Sequence, residues 1–145
     1  MKYLFFVVAL LISQTNFAQD SKPVDWSFEV EKGDDGEYTL LISAKIKDNW
    51  AVYSQHTGEG GPVPLSFTYE VDDALIGETV ELSEPTKKFS DLFEIEVVKF
   101  KKEANFSQKF KPKKGVKTIK GYLTYMACDE EKCLPPTDVE FDISL

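Results

Sequence analysis

The sequence has 145 residues, of which 42% are hydrophobic and 29% are charged, an ordinary composition for one globular domain. It contains 17 basic and 25 acidic residues, so its formal net charge at pH 7 is −8. Such an acidic chain would be repelled by phosphates, which argues against nucleic acid as a partner. With one histidine and two cysteines it also offers three nitrogen or sulfur ligands, too few for a closed zinc site. We expect no metal and no cofactor.

The first eighteen residues have the pattern of a secretory signal peptide. Lys2 is followed by an apolar run over residues 3–12, and a small residue, Ala18, precedes the expected cleavage point. This run is too short for a bilayer, which needs about 20 apolar residues. We therefore expect residues 1–18 to be removed and residues 19–145 to form an exported domain. The mature charge would be about −9, from 16 basic minus 25 acidic residues.

Short stretches with the two-residue alternation of β-strands follow along the mature chain. They are residues 24–30, 38–46, 50–53, 65–71, 79–82, 94–100, 104–110, a run that begins at Tyr122, and residues 139–143. Nowhere does helical spacing persist over three turns. The pattern predicts a single all-β domain, an immunoglobulin-like antiparallel β-sandwich built from two sheets packed face to face.

A glycine- and proline-rich loop spans residues 54–64 and contains His56. Its glycines do not form a phosphate cradle, because no GK[ST] ending and no strand-to-helix transition follow them. A hydrolase would need a nucleophile paired with a base, and one histidine in such a loop is poor support for that chemistry. We assign no catalytic role to this loop.

Both cysteines, Cys128 and Cys133, flank a hairpin-like turn with four residues between them. A bridge between them would close a very short loop, which is worth only roughly 2 kcal/mol of stability. Cysteine pairs on exposed turns are also suited to disulfides that open and close, because a partner thiolate must reach one sulfur. The residues alone therefore leave two readings open: a redox-active disulfide or a structural one.

The cysteine hairpin resembles that of the amino-terminal domain of the DsbD thiol:disulfide interchange family. The similarity lies in residues 125–128, a short acidic loop, residues 133–136 and Phe141, and it extends over the mature chain. Residues 50–53 resemble the family's early aromatic segment, and residues 89–95 resemble its cap loop. The chain departs from the family pattern by having one residue fewer between its cysteines, and by having Ala51 where an aromatic residue is expected.

Membership would imply a periplasmic thiol:disulfide oxidoreductase component. Carried over residue by residue, Cys133 forms the mixed disulfide and Cys128 resolves it. Phe89 shields the pair, with Phe93 as the alternative cap. The residues expected to support the site are Tyr53, Tyr125, Asp129, Glu130 and Glu131. The three acids should raise the thiol pKa, because nearby negative charge disfavours ionisation.

The resemblance further implies that thioredoxin-like redox proteins are the partners of a monomeric domain. Its electrons would come from a membrane-embedded donor of the DsbD or CcdA type. Because the sequence ends at Leu145 without a membrane segment, we expect that donor on a separate chain. The alternative is a non-enzymatic exported β-sandwich that binds through its loops and carries a purely structural disulfide.

Overall fold

The computed structural model describes residues 22–71 and 74–145, so the expected signal peptide, residues 1–18, lies outside the described residues. Within the described ranges the chain forms antiparallel β-strands and no helix that is long and apolar enough to cross a membrane. The strands are β1 (Val24–Lys32), β2 (Tyr38–Ile46), β3 (Ala51–Tyr53), β4 (Ser66–Tyr69), β5 (Leu75–Glu81), β6 (Thr86–Ser90), β7 (Ile95–Phe100), β8 (Glu103–Phe110), β9 (Thr118–Tyr125), β10 (Ala127–Cys128) and β11 (Thr137–Ser144).

The all-β antiparallel fold that the sequence predicted is confirmed, with its strands in three hydrogen-bonded sheets where two were expected. Their strand orders are β1-β2-β8-β5, β10-β3-β7-β6 and β11-β9-β4. The second and third sheets adjoin, because β9 runs into β10 with only Met126 between them and the Leu65 N–H donates to the Tyr53 carbonyl at 3.0 Å. The result is an all-β antiparallel fold in which the first sheet packs against the other two.

The main core lies between these sheets, and Phe106 occupies its centre. This fully buried ring on β8 lies 5.3 Å from Phe67 of β4 and 5.6 Å from Phe100 of β7, measured between ring centroids. It also contacts Trp26 of β1, at 6.3 Å. One aromatic side chain therefore contacts all three sheets. It fixes the second sheet, β10-β3-β7-β6, to the rest of the domain, and we call this the cysteine-bearing sheet because β10 contains Cys128.

Two short elements were missed by the sequence patterns, and both belong to the cysteine-bearing sheet. The β6 strand is an exposed edge strand that contains Lys87 and Lys88, so it lacks the apolar alternation of a half-buried strand. The β10 strand has only two residues, both buried, and it is separated from β9 at Met126, a break that the predicted strand beginning at Tyr122 did not include. By contrast, residues 38–46 form β2 with the predicted limits.

Gly121, in the middle of β9, is required by close packing with the strands on both sides. A Cβ at this position would collide with the Thr68 carbonyl oxygen and lie 2.7 Å from the Phe141 ring. We predict that Gly121→Ala lowers the free energy of unfolding by about 1–3 kcal/mol, because extra volume in a packed interior forces backbone shifts. Urea denaturation measures this change.

Gly58→Ala is the matched control, because a Cβ at Gly58 would meet nothing within 4 Å. Its free energy of unfolding should stay within about 0.5 kcal/mol of the wild-type value. Equal losses in the two variants would contradict the packing argument.

Candidate redox site

Cys128 and Cys133 form a disulfide at a short hairpin between β9 and β11. Cys128 is only 2% exposed, and β10 holds it opposite Ala51 of β3. Cys133 is partly exposed and pairs with Cys128 through an isolated antiparallel bridge. The two sulfurs therefore differ in surroundings, and a reagent from solvent has easier access to Cys133.

Successive side chains of strands β3 and β7 point to opposite faces of the sheet, and this separates the site from the main core. Val52 and Phe100 point inward and belong to the main core. Tyr53 and Val97 point to the other face, where they form a second apolar cluster with Cys128. Four partly buried side chains pack against this cluster: Phe93, Ile95, Met126 and Cys133.

The turn between the cysteines is organised by Asp129. Its carboxylate accepts hydrogen bonds from the backbone N–H groups of Glu131 at 2.8 Å and Lys132 at 2.7 Å. These backbone donors hold the pKa of the Asp129 carboxyl below its ordinary value, with a smaller contribution from the Lys132 charge. The Asp129 N–H also donates to the Lys132 carbonyl, and Leu134 N–H donates to Ala127 carbonyl, both at 2.9 Å. The hairpin is therefore held by hydrogen bonds as well as by the disulfide.

The two candidate cap residues lie in different environments. Phe93 is in the loop between β6 and β7, partly buried, with its ring edge-on to Tyr53 at 6.4 Å and packed in the cysteine cluster. Phe89 is in β6 and 59% exposed, and it borders the groove that leads to Cys128. Phe89 pairs with Glu96 of β7. The side chain of Glu96 points to the opposite face of the strand from those of Ile95 and Val97, which belong to the cysteine cluster.

Of the two tyrosines expected to support the site, Tyr53 alone lies on its face. Tyr53 is 5% exposed, and burial raises the pKa of its hydroxyl. Tyr125 is instead in the main core, with its ring 5.3 Å from that of Trp26. Because alternation sends Tyr125 to the inner face, it reaches the cysteines only through the backbone that joins β9 to β10.

A groove of about 370 Å³ opens beside Cys128, and its walls carry charges that the sequence patterns did not bring together. Lys88, Lys99 and Lys101 line one wall. The acidic residues that line the groove are Asp91, Asp129 and Glu130. Ala51, where the family pattern suggested an aromatic residue, is also in the lining, so a small methyl group stands opposite Cys128. Residues 97, 99 and 101 alternate along the chain, and this spacing was the sequence signal that could have placed Lys99 and Lys101 on the same face as Val97.

The glycine-rich loop packs against the cap loop. A Cβ at Gly61 would lie 2.6 Å from the Ile95 Cδ1 atom and 3.7 Å from the Phe93 Cβ atom. His56, from the same loop, is exposed and does not line the cysteine groove. The loop therefore contributes to the site through a close approach of its backbone, and its histidine stands apart from the cysteines.

The fold and the disulfide together define an all-β domain that carries a cysteine pair in an accessible hairpin. Residues 18–145 match the family described as the N-terminal domain of the thiol:disulfide interchange protein DsbD, and the chain belongs to that family. A comparison with curated protein sequences found no match.

Solved structures support the same fold. The N-terminal periplasmic domain of ScsB from Proteus mirabilis superposes with a TM-score of 0.67 at 19% identity, over 86% of this chain and 47% of that one. This chain therefore spans about half the length of that relative. The reduced N-terminal domain of Neisseria meningitidis DsbD gives 0.58 at 27% identity, over 82% and 84% of the two chains. A complex between the DsbD and PilB N-terminal domains from the same organism gives 0.58 at 22% identity, over 81% and 80%.

The Asp129 hydrogen bonds predict a specific pH dependence. Since the folded pKa of this carboxyl is lowered, its stabilising effect is present above the unfolded value of about 3.9 and is lost as pH falls through the folded value. We expect wild-type protein to melt at a higher temperature than Asp129→Asn at pH 6, and the gap to shrink as pH falls below about 4. Thermal unfolding of both proteins from pH 6 to pH 2 measures it.

Asn is the appropriate comparison because its side-chain oxygen still accepts from both N–H groups without a charge. Asp129→Ala, which removes the acceptor, should be less stable than Asp129→Asn throughout the range. A gap between wild type and Asp129→Asn that stays constant down to pH 2 would show that the ionised carboxylate does not stabilise the turn.

Proposed function

We propose that this chain is a periplasmic thiol:disulfide interchange domain that carries electrons through the Cys128–Cys133 pair. The observation that carries the proposal is the asymmetry of the pair, with Cys128 buried and Cys133 partly exposed. A partner thiolate attacks the accessible sulfur, so Cys133 forms the mixed disulfide. Cys128, held against β3, is the resolving cysteine.

The hairpin supports a disulfide that opens without unfolding the domain. The bridge joins residues only five apart, so its loss costs roughly 2 kcal/mol on the chain-entropy estimate. Domains of this kind are commonly stable by about 5–15 kcal/mol. The Asp129 turn and the Leu134–Ala127 hydrogen bond do not involve sulfur. We expect both to persist in the reduced state and to hold the two thiols close together.

The exchange is a balanced two-step reaction in each direction. Reduction of the oxidised domain begins when a donor thiolate attacks Cys133 and releases the Cys128 thiolate. A second thiolate of the donor then attacks the mixed disulfide and frees Cys133. The donor dithiol becomes a disulfide, and two electrons and two protons pass to the domain. The reduced domain repeats this chemistry on an acceptor, with Cys133 attacking and Cys128 closing the ring.

Thioredoxin-like proteins are the proposed partners of this reaction, with exported proteins as acceptors. The donor would be a thioredoxin-like protein or a membrane-embedded reductase of the DsbD or CcdA type on a separate chain. Support comes from family membership and from the N. meningitidis relative, whose DsbD N-terminal domain forms a complex with the PilB N-terminal domain. Export through the proposed signal peptide, residues 1–18, and cleavage after Ala18 would bring residues 19–145 to that compartment.

Trapping the mixed disulfide tests the function. We predict that Cys128→Ser accumulates a mixed disulfide with an oxidised thioredoxin-like protein, because Cys133 attacks but no resolving thiol remains. Cys133→Ser should accumulate at least about tenfold less, since the remaining thiol is buried. Non-reducing electrophoresis and mass spectrometry of the adduct quantify both variants.

The reduced wild-type domain supplies the rate for comparison. If it exchanges with the thioredoxin-like protein no faster than an unrelated exported domain with a reduced structural cysteine pair, the disulfide is structural and the chain is a binding module. Equal trapping by both serine variants would instead reject Cys133 as the attacking residue.

We further propose that Phe93 is the aromatic residue that shields the disulfide. It packs in the cluster that contains both cysteines, whereas Phe89 is 59% exposed. Phe93→Ala should speed reduction of the disulfide by a small thiol about threefold or more, since the reagent gains access to the sulfurs. Phe89→Ala is the matched variant and should change the rate by less than about twofold.

The rates are compared at a temperature at which thermal unfolding shows that both variants are folded. Truncating a fully buried phenylalanine costs about 3–5 kcal/mol, and Phe93 is only partly buried, so a smaller loss of stability is expected. A larger acceleration in Phe89→Ala would transfer the cap role to Phe89.

A further inference from the structure

The three lysines beside the disulfide are unusual in a chain whose net charge is −8. Strand alternation places Lys88 of β6 and Lys99 of β7 on the face that bears Tyr53 and Cys128, and Lys101 continues that face. Among the residues that the structure describes, no carboxylate lies within salt-bridge distance of these three ammonium groups. Positive charge is therefore concentrated at one wall of the groove without a matching internal ion pair.

Lys99 is the least solvated of the three. It is partly buried in the groove, where burial, followed by repulsion from Lys101 and Lys88, lowers the pKa of its ammonium group. Glu130 acts in the opposite direction, but more weakly. Three like charges in one groove repel each other, so an external anion that bound there would relieve this repulsion.

The acidic residues of the groove already interact with other groups of the protein or lie in the exposed cap loop. Asp129 directs a carboxylate oxygen to two backbone N–H groups of its own turn. The charge of Glu130 already acts on Lys99, whose pKa it raises. The third acid, Asp91, is exposed in the cap loop. The acids equal the lysines in number, but they are divided between the cysteine turn and the cap loop, whereas the three lysines share one strand face.

We propose that Lys88, Lys99 and Lys101 form the docking wall for an acidic segment of the redox partner, in the groove that Cys128 lines beside the disulfide. This inference rests on the proposed function and names the chemistry of its partner: carboxylates flanking the reactive cysteine. Such complementarity would speed productive encounter and favour acidic partners over basic ones. The lysine wall is thus a specificity-determining surface for the exchange reaction.

Two peptide disulfides test the proposal directly. Each is a symmetric disulfide of a short peptide with one cysteine, flanked by two aspartates in one peptide and by two lysines in the other. The reduced protein attacks the peptide disulfide, and closure of Cys128–Cys133 releases two peptide thiols per protein. The ratio of the acidic to the basic second-order rate constant is the measured quantity, because the thiolate fraction of the protein cancels in it.

We expect wild-type protein to react faster with the acidic peptide. The triple variant Lys88→Gln, Lys99→Gln and Lys101→Gln should lower the acidic-to-basic ratio about tenfold at low salt, and less at 0.5 M salt where charges are screened. If the triple variant does not fold, the double variant at the two exposed positions, Lys88→Gln and Lys101→Gln, takes its place with a fall of about fivefold.

The matched control changes the net charge equally but outside the groove. Lys109, Lys114 and Lys117 are exposed and do not line it, so their replacement by Gln should alter the ratio less than about twofold. A wild-type preference for the basic peptide, or an equal fall in the control, overturns the docking wall while leaving fast exchange intact. Exchange with neither peptide overturns the proposed function and the inference together.

Discussion

The two-sided character of one small sheet is the constraint on which the site depends. In β3 and β7, alternate side chains face opposite directions, so Val52 and Phe100 enter the main core while Tyr53 and Val97 support Cys128. A shift of one residue in either strand would exchange these faces. The aromatic contact between Phe100 and Phe106 opposes such a shift, because it ties the register of the small sheet to the packed centre of the domain.

This arrangement divides stability and chemistry between different interactions. The core is formed by large side chains from all three sheets, and the cysteine turn is held by backbone hydrogen bonds that include the Asp129 carboxylate. The hairpin therefore has contacts that do not depend on the disulfide bond. A bond that contributes little to the fold can be broken and re-formed without unfolding the domain, as the proposed electron transfer requires.

The sequence predicted the all-β class, most strand positions and the cysteine hairpin, because two-residue alternation and turn residues are local signals. It did not predict β6, because the lysines of this edge strand interrupt the apolar alternation. It also did not predict that Tyr125 points into the main core, which depends on which residues of β9 face inward. The lysine wall was also missed. Lys99 lies 29 residues before Cys128 in the sequence, and only the pairing of β3 with both β7 and β10 brings those two strands to the same groove.

The glycine-rich loop acquires a physical role from the same contacts. At Gly61 the absence of a side chain lets the loop backbone approach Ile95, and Ile95 and Phe93 both pack on the cysteine cluster. A bulkier residue at this position would push first on the end of the Ile95 side chain, which can move, and then on the cap loop. The position of Phe93 is therefore set by contacts with two segments, the Tyr53 ring and the backbone at Gly61. In the cap role that we propose for Phe93, a partner that displaces this ring has to work against both contacts.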